Sequence, residues 1–273
     1  MSKKYKIQGA SKKIEMPNKY ELYEGAVQDS EFDVELYNQI YSEINNTKAL
    51  TLREDFCGTH WLCYEWIKQS SDHIAHGIDK SQEPIDFGFE KRTKNLTEEQ
   101  KPRLKTLFKD VREVTDFKYN LIVAANFSYF IFKERKILLE YFKAVLASLD
   151  NNGLFIMDHF GGSGNEAGNI EEKDCVLNNR LKYKYFWHQK NYKPIKNEAE
   201  FAIHFKVPKN EKLRDAFTYD WRMWQIPEVK DVLLDAGFKD VVVYWEDDDG
   251  DFKQEIDGEE DAANWIAQIV GIK

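Results

Sequence analysis

Cysteine is scarce in this chain: three residues, Cys57, Cys63 and Cys175, occur among 273. Their number is odd and no C-x-x-C pair is present, so the sequence predicts neither a disulfide framework nor a zinc ribbon. No group of histidines and acids has the spacing of metal ligands, and we expect no metal. Free thiols fit a reducing compartment, which leads us to expect a cytoplasmic protein.

Long apolar runs and an excess of basic residues are also missing. No apolar segment approaches the roughly 18 residues that a membrane-spanning helix requires, and the basic start of the chain is not followed by the apolar stretch of a signal peptide. The chain carries 39 basic and 48 acidic residues, with a net charge of −9. Because proteins that grip nucleic acid normally present a basic face, we expect neither a membrane nor a nucleic acid as partner.

What the sequence does contain is a regular alternation of apolar strands and amphipathic helices. Strands are predicted at 50–56, 73–79, 104–108, 120–125, 154–157 and 241–245, and helices at 20–46, 61–69, 83–93, 134–149 and 227–236. Such alternation implies right-handed crossovers between parallel strands. We therefore predict a Rossmann-like, doubly wound α/β fold: a mainly parallel seven-stranded sheet with helices on both faces.

The periodicity changes between residues 181 and 224, where apolar and polar residues alternate. This pattern predicts three strands joined by turns, which form a small antiparallel sheet inserted in the parallel fold. We expect the inserted sheet to lie over the carboxyl ends of the parallel strands and to close a substrate pocket. Loops are predicted at 161–180 and along the acidic run that begins at Glu246.

These features divide the chain into four segments. An N-terminal arm and helices occupy residues 1–47, and a nucleotide-binding core occupies 48–160. The inserted antiparallel lid spans 161–226. A C-terminal helix and strands at 227–273 complete the core sheet.

The segment around Gly58 carries the clearest chemical signal. Strand-forming residues end in acids at Glu54 and Asp55, a Cys-Gly-Thr turn follows, and a helix begins. The next predicted strand ends at Asp79, which stands 21 positions after Gly58. A glycine turn that lets the backbone approach a ligand, followed about 20 residues later by an acid that binds ribose, is typical of nucleotide sites in open α/β sheets.

At this segment the chain resembles class I S-adenosylmethionine (AdoMet) dependent methyltransferases. Their first motif, acid-x-Gly-Cys-Gly-Thr-Gly, is matched by Glu54, Cys57, Gly58 and Thr59. Phe56 and His60 stand where the family has its outer glycines. The match spans about residues 48–160 and 227–245, and it includes the Ala-Gly-Phe joint that precedes the last predicted strand at 241–245.

The resemblance implies AdoMet as the cofactor and a set of residues that bind it. Asp79 falls where the family's ribose carboxylate lies. Asp110 and Val111 follow the third strand, where the family contacts adenine, and Asn126 follows the fourth strand, at the active-site loop. The full implied set is Glu54, Cys57, Gly58, Thr59, Asp79, Asp110, Val111 and Asn126.

The position of His159 makes it a candidate general base. It follows Asp158 at the mouth of the fifth predicted strand, where ligands collect in such folds. The aromatic residues of the insertion, among them Tyr183, Trp187 and Trp221, either line an acceptor pocket or join the small sheet to the main one.

The sequence favours a small-molecule methyl acceptor, because the Asn/Asp-Pro-Pro-Tyr/Phe motif of many enzymes that methylate nucleic acids and proteins is missing. Two alternatives remain: a non-catalytic AdoMet-binding partner or regulatory subunit, and a methyltransferase that acts on protein or RNA. A nicotinamide-dependent oxidoreductase is disfavoured, since the turn lacks the G-x-G-x-x-G spacing.

Overall fold

The computed structural model describes residues 15–258 and 262–273. Most of the predicted N-terminal arm and residues 259–261 of the acidic run lie outside the described residues. The helices are α1 (Lys19–Val27), α2 (Ser30–Asn45), α3 (Trp61–Lys68), α4 (Gln82–Arg92), α5 (Arg135–Ser148) and α6 (Ile226–Ala236). The strands are β1 (Thr51–Asp55), β2 (Ile74–Asp79), β3 (Leu104–Phe108), β4 (Tyr119–Ala124), β5 (Leu149–Gly161), β6 (Asn169–Leu177), β7 (Leu181–Lys193), β8 (Glu198–Lys206), β9 (Lys212–Arg222), β10 (Asp240–Glu246), β11 (Phe252–Glu255) and β12 (Trp265–Ile272).

The main sheet has the order β11-β10-β12-β5-β4-β1-β2-β3. The five strands from β3 to β5 pair in parallel, whereas β12 lies antiparallel between β5 and β10. The predicted mainly parallel Rossmann-like sheet is thus confirmed. No described helix is long and apolar enough to cross a bilayer.

The predicted number of seven strands was wrong, because β11 adds an eighth. It pairs antiparallel with β10 inside the acidic run that was expected to be a loop. This edge strand buries a single side chain, Phe252, which packs near Phe32 of α2, and its other three residues are exposed. One buried residue among acids leaves no readable periodicity in the sequence.

Helices cover both faces of the main sheet, and each face has its own apolar core. On one face, α2 and α3 bury Tyr37, Tyr41 and Trp66 against the strands. On the other face, α5 and α6 pack together and bury Tyr141 and Phe142. The near-continuous apolar runs of β4 and β5 follow from this burial on both sides.

β1 and β4 are neighbours in the sheet. From β1 the chain continues outward to β2 and β3, and from β4 it continues in the opposite direction to β5. A crevice therefore opens at the carboxyl ends of these two strands, at the topological switch point where ligands of open α/β folds bind.

The inserted sheet has four antiparallel strands in the order β6-β7-β8-β9, and its antiparallel pairing confirms the prediction. Three strands were expected, so the loop predicted at 161–180 was wrong where β6 lies. All of the side chains of β6 except those of Cys175 and Leu177 are exposed, and this removes the alternation of buried residues that marks a strand. The strand is held instead by backbone pairing along its whole length with β7.

The helix α1 joins the N-terminal segment to the first strand–helix turn of the core. Its start is capped by Asn18 and Glu21 in a capping box. Within it, the buried Glu24 accepts a 2.6 Å hydrogen bond from Thr59 and pairs with Arg92 at 2.7 Å. A buried carboxylate with these partners anchors α1 over the carboxyl ends of the parallel strands.

Helix α4 crosses the same turn at Gly88, and this crossing yields a stability prediction. A Cβ atom at Gly88 would lie 2.1 Å from the carbonyl oxygen of Thr59. Replacing a helix-interior glycine by alanine normally stabilises a protein by roughly 1 kcal/mol. We expect Gly88→Ala to destabilise it instead, by about 1–3 kcal/mol, because the clash is with backbone that has no other rotamer.

Urea denaturation of Gly88→Ala and of Glu90→Ala, an exposed position on the same helix, provides the comparison. An unfolding midpoint for Gly88→Ala at or above that of the wild type would contradict the packing of α4 on the turn.

Candidate functional site

The turn after β1 has an unusual backbone, with alternate residues in the left-handed region. Phe56, Gly58 and His60 have φ angles of 58°, 48° and 47°. For a residue with a side chain, this backbone conformation raises the free energy of the folded state by roughly 1–2 kcal/mol. Phe56 and His60 therefore adopt it only because the surrounding structure enforces it. These are the positions of the family's outer glycines, and the backbone here has the conformation that glycines adopt easily.

Two hydrogen bonds to the neighbouring strand β2 hold this turn. The amide of Cys57 donates to the carbonyl of Ile78 at 3.1 Å, and the amide of Gly58 donates to the Asp79 carboxylate at 2.8 Å. The second carboxylate oxygen of Asp79 accepts from the amide of Ser81 at 2.8 Å. Asp79 is therefore fixed at the end of β2 and remains half-buried, with its carboxylate next to the turn.

Around Gly58 the space is open: a Cβ atom built there would meet no atom within 4 Å. The side chains of the adjacent motif residues point elsewhere. Cys57 is buried with its sulfur against Gly77, and burial raises the pKa of its thiol. The Thr59 hydroxyl is bonded to Glu24, so only the backbone of these two residues is available to a ligand.

Glu54 lies beneath the turn, on the α3 face of β1. Its buried carboxylate accepts a 3.3 Å hydrogen bond from the amide of Cys63 in the first turn of α3. Burial raises the pKa of Glu54 to about 8, and the nearby Asp33 and Asp79 add to the shift.

The loop after β3 contains Asp110 and Val111. Asp110 forms a bidentate pair with Arg112, at 3.0 and 2.8 Å, and an ion pair with Lys80. These partners hold the pKa of Asp110 well below its usual range. The carbonyl of the buried Val111 accepts a 2.6 Å hydrogen bond from Arg53, which fixes the loop to β1.

The loop after β4 has two successive left-handed residues, Asn126 and Phe127, with φ angles of 56° and 57°. Their amides both donate to the carboxylate of Asp158 on β5, at 2.6 and 2.7 Å. Burial raises the pKa of Asp158 to about 7. The sequence singled out Asn126, but it gave Asp158 no role, since an acid beside a candidate histidine has no separate signature.

The structure places His159 away from any open space. The residue is fully buried in β5, its Nδ1 is bonded to the hydroxyl of Tyr129, and its ring stacks on Trp265 at 5.5 Å between centroids. Burial lowers its pKa to about 3. In this geometry the imidazole contacts neighbouring rings and does not line a cavity.

A cavity of about 430 Å³ lies between the two sheets. The inserted sheet, α1, the loop after β4 and the ends of β5, β10 and β12 all contribute to its wall. Its lining is rich in aromatic residues and includes Tyr23, Phe160, Trp187, Tyr219, Trp221 and Trp265, together with Asn126. This volume is in the range of small-molecule sites.

Three carboxyl groups gather around the buried Tyr37 near the crevice between β1 and β4. They belong to Asp33 on α2, to Glu54 and to Asp158, and each influences the pKa of Tyr37. Burial and the charge of Asp158 raise the pKa of Asp33 to about 7. No described residue gives Asp33 a hydrogen bond or an ion pair through its side chain, so this group of acids lacks a cation. A positively charged ligand would supply one.

Within residues 15–258 and 262–273, no group of three or more His, Cys, Asp or Glu side chains is arranged to hold a metal ion.

The solved structures that match this chain include AdoMet-dependent methyltransferases. The S-adenosylmethionine-dependent methyltransferase of Clostridium acetobutylicum is 18% identical, with a TM-score of 0.66 over 92% of this chain and 96% of that chain. DesVI of Streptomyces venezuelae is 16% identical, with a TM-score of 0.69 over 93% and 96%. An amino pentose methyltransferase of Micromonospora echinaspora, solved with AdoMet bound, is 10% identical, with a TM-score of 0.65 over 93% and 98%.

No protein-family model matches the chain, and no curated protein does. The likeness to the solved structures covers nearly the whole of each chain and includes the inserted sheet. The chain therefore has the class I AdoMet-dependent methyltransferase fold that the first motif suggested.

The uncompensated acid on α2 gives a prediction about pH. The pKa of Asp33 is raised from 3.8 to about 7, so the folded state gains stability from its protonated form at low pH and loses that contribution as the pH rises through about 7. Asp33→Asn should therefore raise the thermal midpoint of the ligand-free protein by a few degrees at about pH 8 and by clearly less at about pH 5, where the carboxyl of the folded state is protonated.

Glu31→Gln, an exposed position in the same turn of α2, serves as the control and should show no such pH-dependent gain. Equal effects of Asp33→Asn at both pH values would show that Asp33 is not held in a proton-binding environment.

Proposed function

We propose that this protein is a methyltransferase that binds AdoMet in the crevice at the ends of β1, β2 and β4 and transfers its methyl group to a small molecule in the aromatic cavity. The observation that carries the proposal is the open space at Gly58, within a strained turn that is hydrogen-bonded to Asp79. Strain kept at one turn beside an open crevice is typical of a ligand site.

The residues present fit the cofactor. The Asp79 carboxylate uses one lone pair per oxygen on backbone amides and keeps others for ribose hydroxyls. In the proposal the loop of Asp110 and Val111 contacts adenine through its backbone, since both oxygens of the Asp110 carboxylate already accept from Arg112 and Lys80. The backbone of Val111 is fixed beside it, and the open edge at Gly58 leaves room for the methionine portion.

The acids near Tyr37 suit the charges of AdoMet. Its methionine ammonium and sulfonium are both cationic, while the carboxyl groups of Asp33, Glu54 and Asp158 lack a cation partner from the described chain. In the proposal Glu54 acts through the turn and through α3, since its own carboxylate is buried beneath the backbone.

When bound, AdoMet would supply a methyl group on a sulfonium. The acceptor attacks the methyl carbon in line with the carbon–sulfur bond, and the sulfur is the leaving group. The protein's contribution is mainly alignment, which is worth roughly 7–11 kcal/mol in well-oriented reactions. The loop after β4 performs this alignment in the proposal, because Asn126 and Phe127 lie between the crevice and the cavity and are fixed by Asp158. The proposal does not use His159 as the base, because its ring is enclosed by Tyr129 and Trp265.

The cavity supports catalysis over the alternative of a non-catalytic AdoMet-binding subunit. A regulatory subunit has no need of a second cavity, lined by aromatic residues, beside the cofactor crevice. Among the similar structures are a sugar N-methyltransferase and an amino pentose methyltransferase, and these support a small-molecule acceptor. The cytoplasmic location and the lid role of residues 161–226 belong to the same proposal.

Asp79→Ala tests the ribose contact. Charge-assisted hydrogen bonds are worth about 1.5–3 kcal/mol, so AdoMet should bind roughly 10- to 100-fold more weakly to this variant. Calorimetric titration with AdoMet, S-adenosylhomocysteine and NAD measures the affinities, and Asp72→Ala, in the exposed turn before β2, is the control. Unchanged AdoMet affinity in Asp79→Ala would remove this residue from the site.

Gly58→Ala separates ligand contact from backbone strain. Gly58 and Gly250 both have positive φ, 48° and 84°, and both have nothing within 4 Å of a built Cβ. Alanine at either position should cost about 1–2 kcal/mol of stability. Only Gly58→Ala should also lose most AdoMet binding, because its methyl group would enter the crevice.

Equal AdoMet affinity in Gly58→Ala and Gly250→Ala would mean that the cofactor lies elsewhere, and the proposed function would fall with it.

A further inference from the structure

The wall of the aromatic cavity is charged with one sign only. Two carboxylates, Glu171 on β6 and Glu246 at the end of β10, line it, and no described lysine, arginine or histidine does. The chain as a whole has 39 basic residues, so the exclusion of cations from this wall is a local property.

Neither carboxylate is neutralised by a residue that the structure describes. Glu171 and Glu246 form no ion pair within the described ranges, although many other surface acids do, including Glu172 next along β6, which pairs with Lys184. Among residues 15–258 and 262–273, the one hydrogen bond to the Glu171 side chain is a long one of 3.5 Å from Asn169. Glu246 is half-buried, and burial together with the charge of Asp247 raises its pKa.

Electron-rich aromatic rings share the cavity wall with these two acids. Trp187 lies opposite Glu171 in the β6–β7 pairing. Its ring is 5.8 Å from that of Tyr219 and 6.1 Å from that of Trp221, measured between centroids. Indole and phenol rings attract cations, and the wall is partly open to water, because Glu171 is exposed and Glu246 is half-buried.

We propose that the methyl acceptor is a cationic amine, whose ammonium group is held between the carboxylates of Glu171 and Glu246 and the faces of the cavity's tryptophans and tyrosines. This inference rests on the proposed function and names the substrate class of the same site. An acceptor that carries phosphate or carboxylate groups in the cavity is excluded by the same charges, because no cation of the wall would pair with them.

The transfer balances with an amine acceptor. The bound ammonium gives one proton to the carboxylate that pairs with it, which frees the nitrogen lone pair. That lone pair forms the bond to the methyl carbon as the carbon–sulfur bond breaks and its electrons pass to sulfur. The products are a methylated ammonium and S-adenosylhomocysteine, and the carboxylate returns its proton to solvent.

Three probes with one aromatic body and three charges test the inference: tyramine, 4-ethylphenol and 4-hydroxyphenylacetate. Each is titrated by calorimetry into protein saturated with S-adenosylhomocysteine. We expect tyramine to bind roughly tenfold more tightly than either of the others, since only it pairs with the acids and the ring faces. The double variant Glu171→Gln/Glu246→Gln should reduce this preference at least about fivefold.

Glu172→Gln is the matched control, because it removes an acid from the same strand but not from the cavity wall, and it should keep the preference. The inference is overturned if the neutral or anionic probe binds as tightly as tyramine, if no probe binds, or if the double variant keeps the preference.

Binding of S-adenosylhomocysteine in the first step distinguishes failure of the amine inference from failure of the proposed function. If it binds and the charge preference is absent, the amine inference fails and the proposed function stands. If it does not bind, the proposed function fails as well.

Discussion

The left-handed turn at residues 56–60 is the constraint on which the arrangement of this protein depends. Its backbone is held from three directions: by Asp79 at the end of β2, by Glu24 on α1 through Thr59, and by α4 at Gly88. Because Phe56 and His60 have side chains, the left-handed conformation is maintained by this packing and not by local preference. This packing explains why the turn is kept although glycine is absent at both outer positions.

Charge is distributed unequally between the two faces of β1. On the α5 face, the fully buried Arg53 pairs with Asp55 at 2.6 Å, and Asp55 also accepts from Tyr141 at 2.8 Å. A buried ion pair adds little net stability, so its value here is positional: the same guanidinium fixes the Val111 carbonyl in the loop after β3. On the α3 face, Glu54 forms an ion pair with no residue of the described chain and accepts a hydrogen bond from the amide of Cys63. The acids near Tyr37 are thus left without an ion pair from the described chain, whereas Asp55 on the closed face and Asp110 in the loop after β3 are both paired.

The fold was predictable because its signals are local and repeated. Apolar runs marked β4 and β5, amphipathic periodicity marked α5, and the interval from Gly58 to Asp79 marked the crevice. The eighth strand β11 and the fourth inserted strand β6 were missed, since edge strands held by backbone pairing leave almost no periodic burial to read. Asp33 was not predictable either: its meaning comes from its proximity to Asp158, which is 125 positions away in sequence.

Separation along the sequence also explains why the proposed acceptor class could not be predicted from the sequence. Glu171 and Glu246 belong to separate segments, and each is an ordinary acid in a polar stretch of sequence. They reach one wall only because the inserted sheet packs over the end of β5.

With the proposed function, the unpaired acids of the crevice act on the methyl donor, and those of the cavity act on the methyl acceptor. AdoMet enters with a sulfonium charge that S-adenosylhomocysteine lacks, so the carboxyl groups near Tyr37 favour the methyl donor over the spent cofactor. The cavity acids have no such preference between an ammonium and its methylated product, since both carry the same charge. Under the proposed function, release of the methylated product would therefore depend on its fit to the tryptophans and tyrosines of the cavity, and exchange of the cofactor would depend on charge.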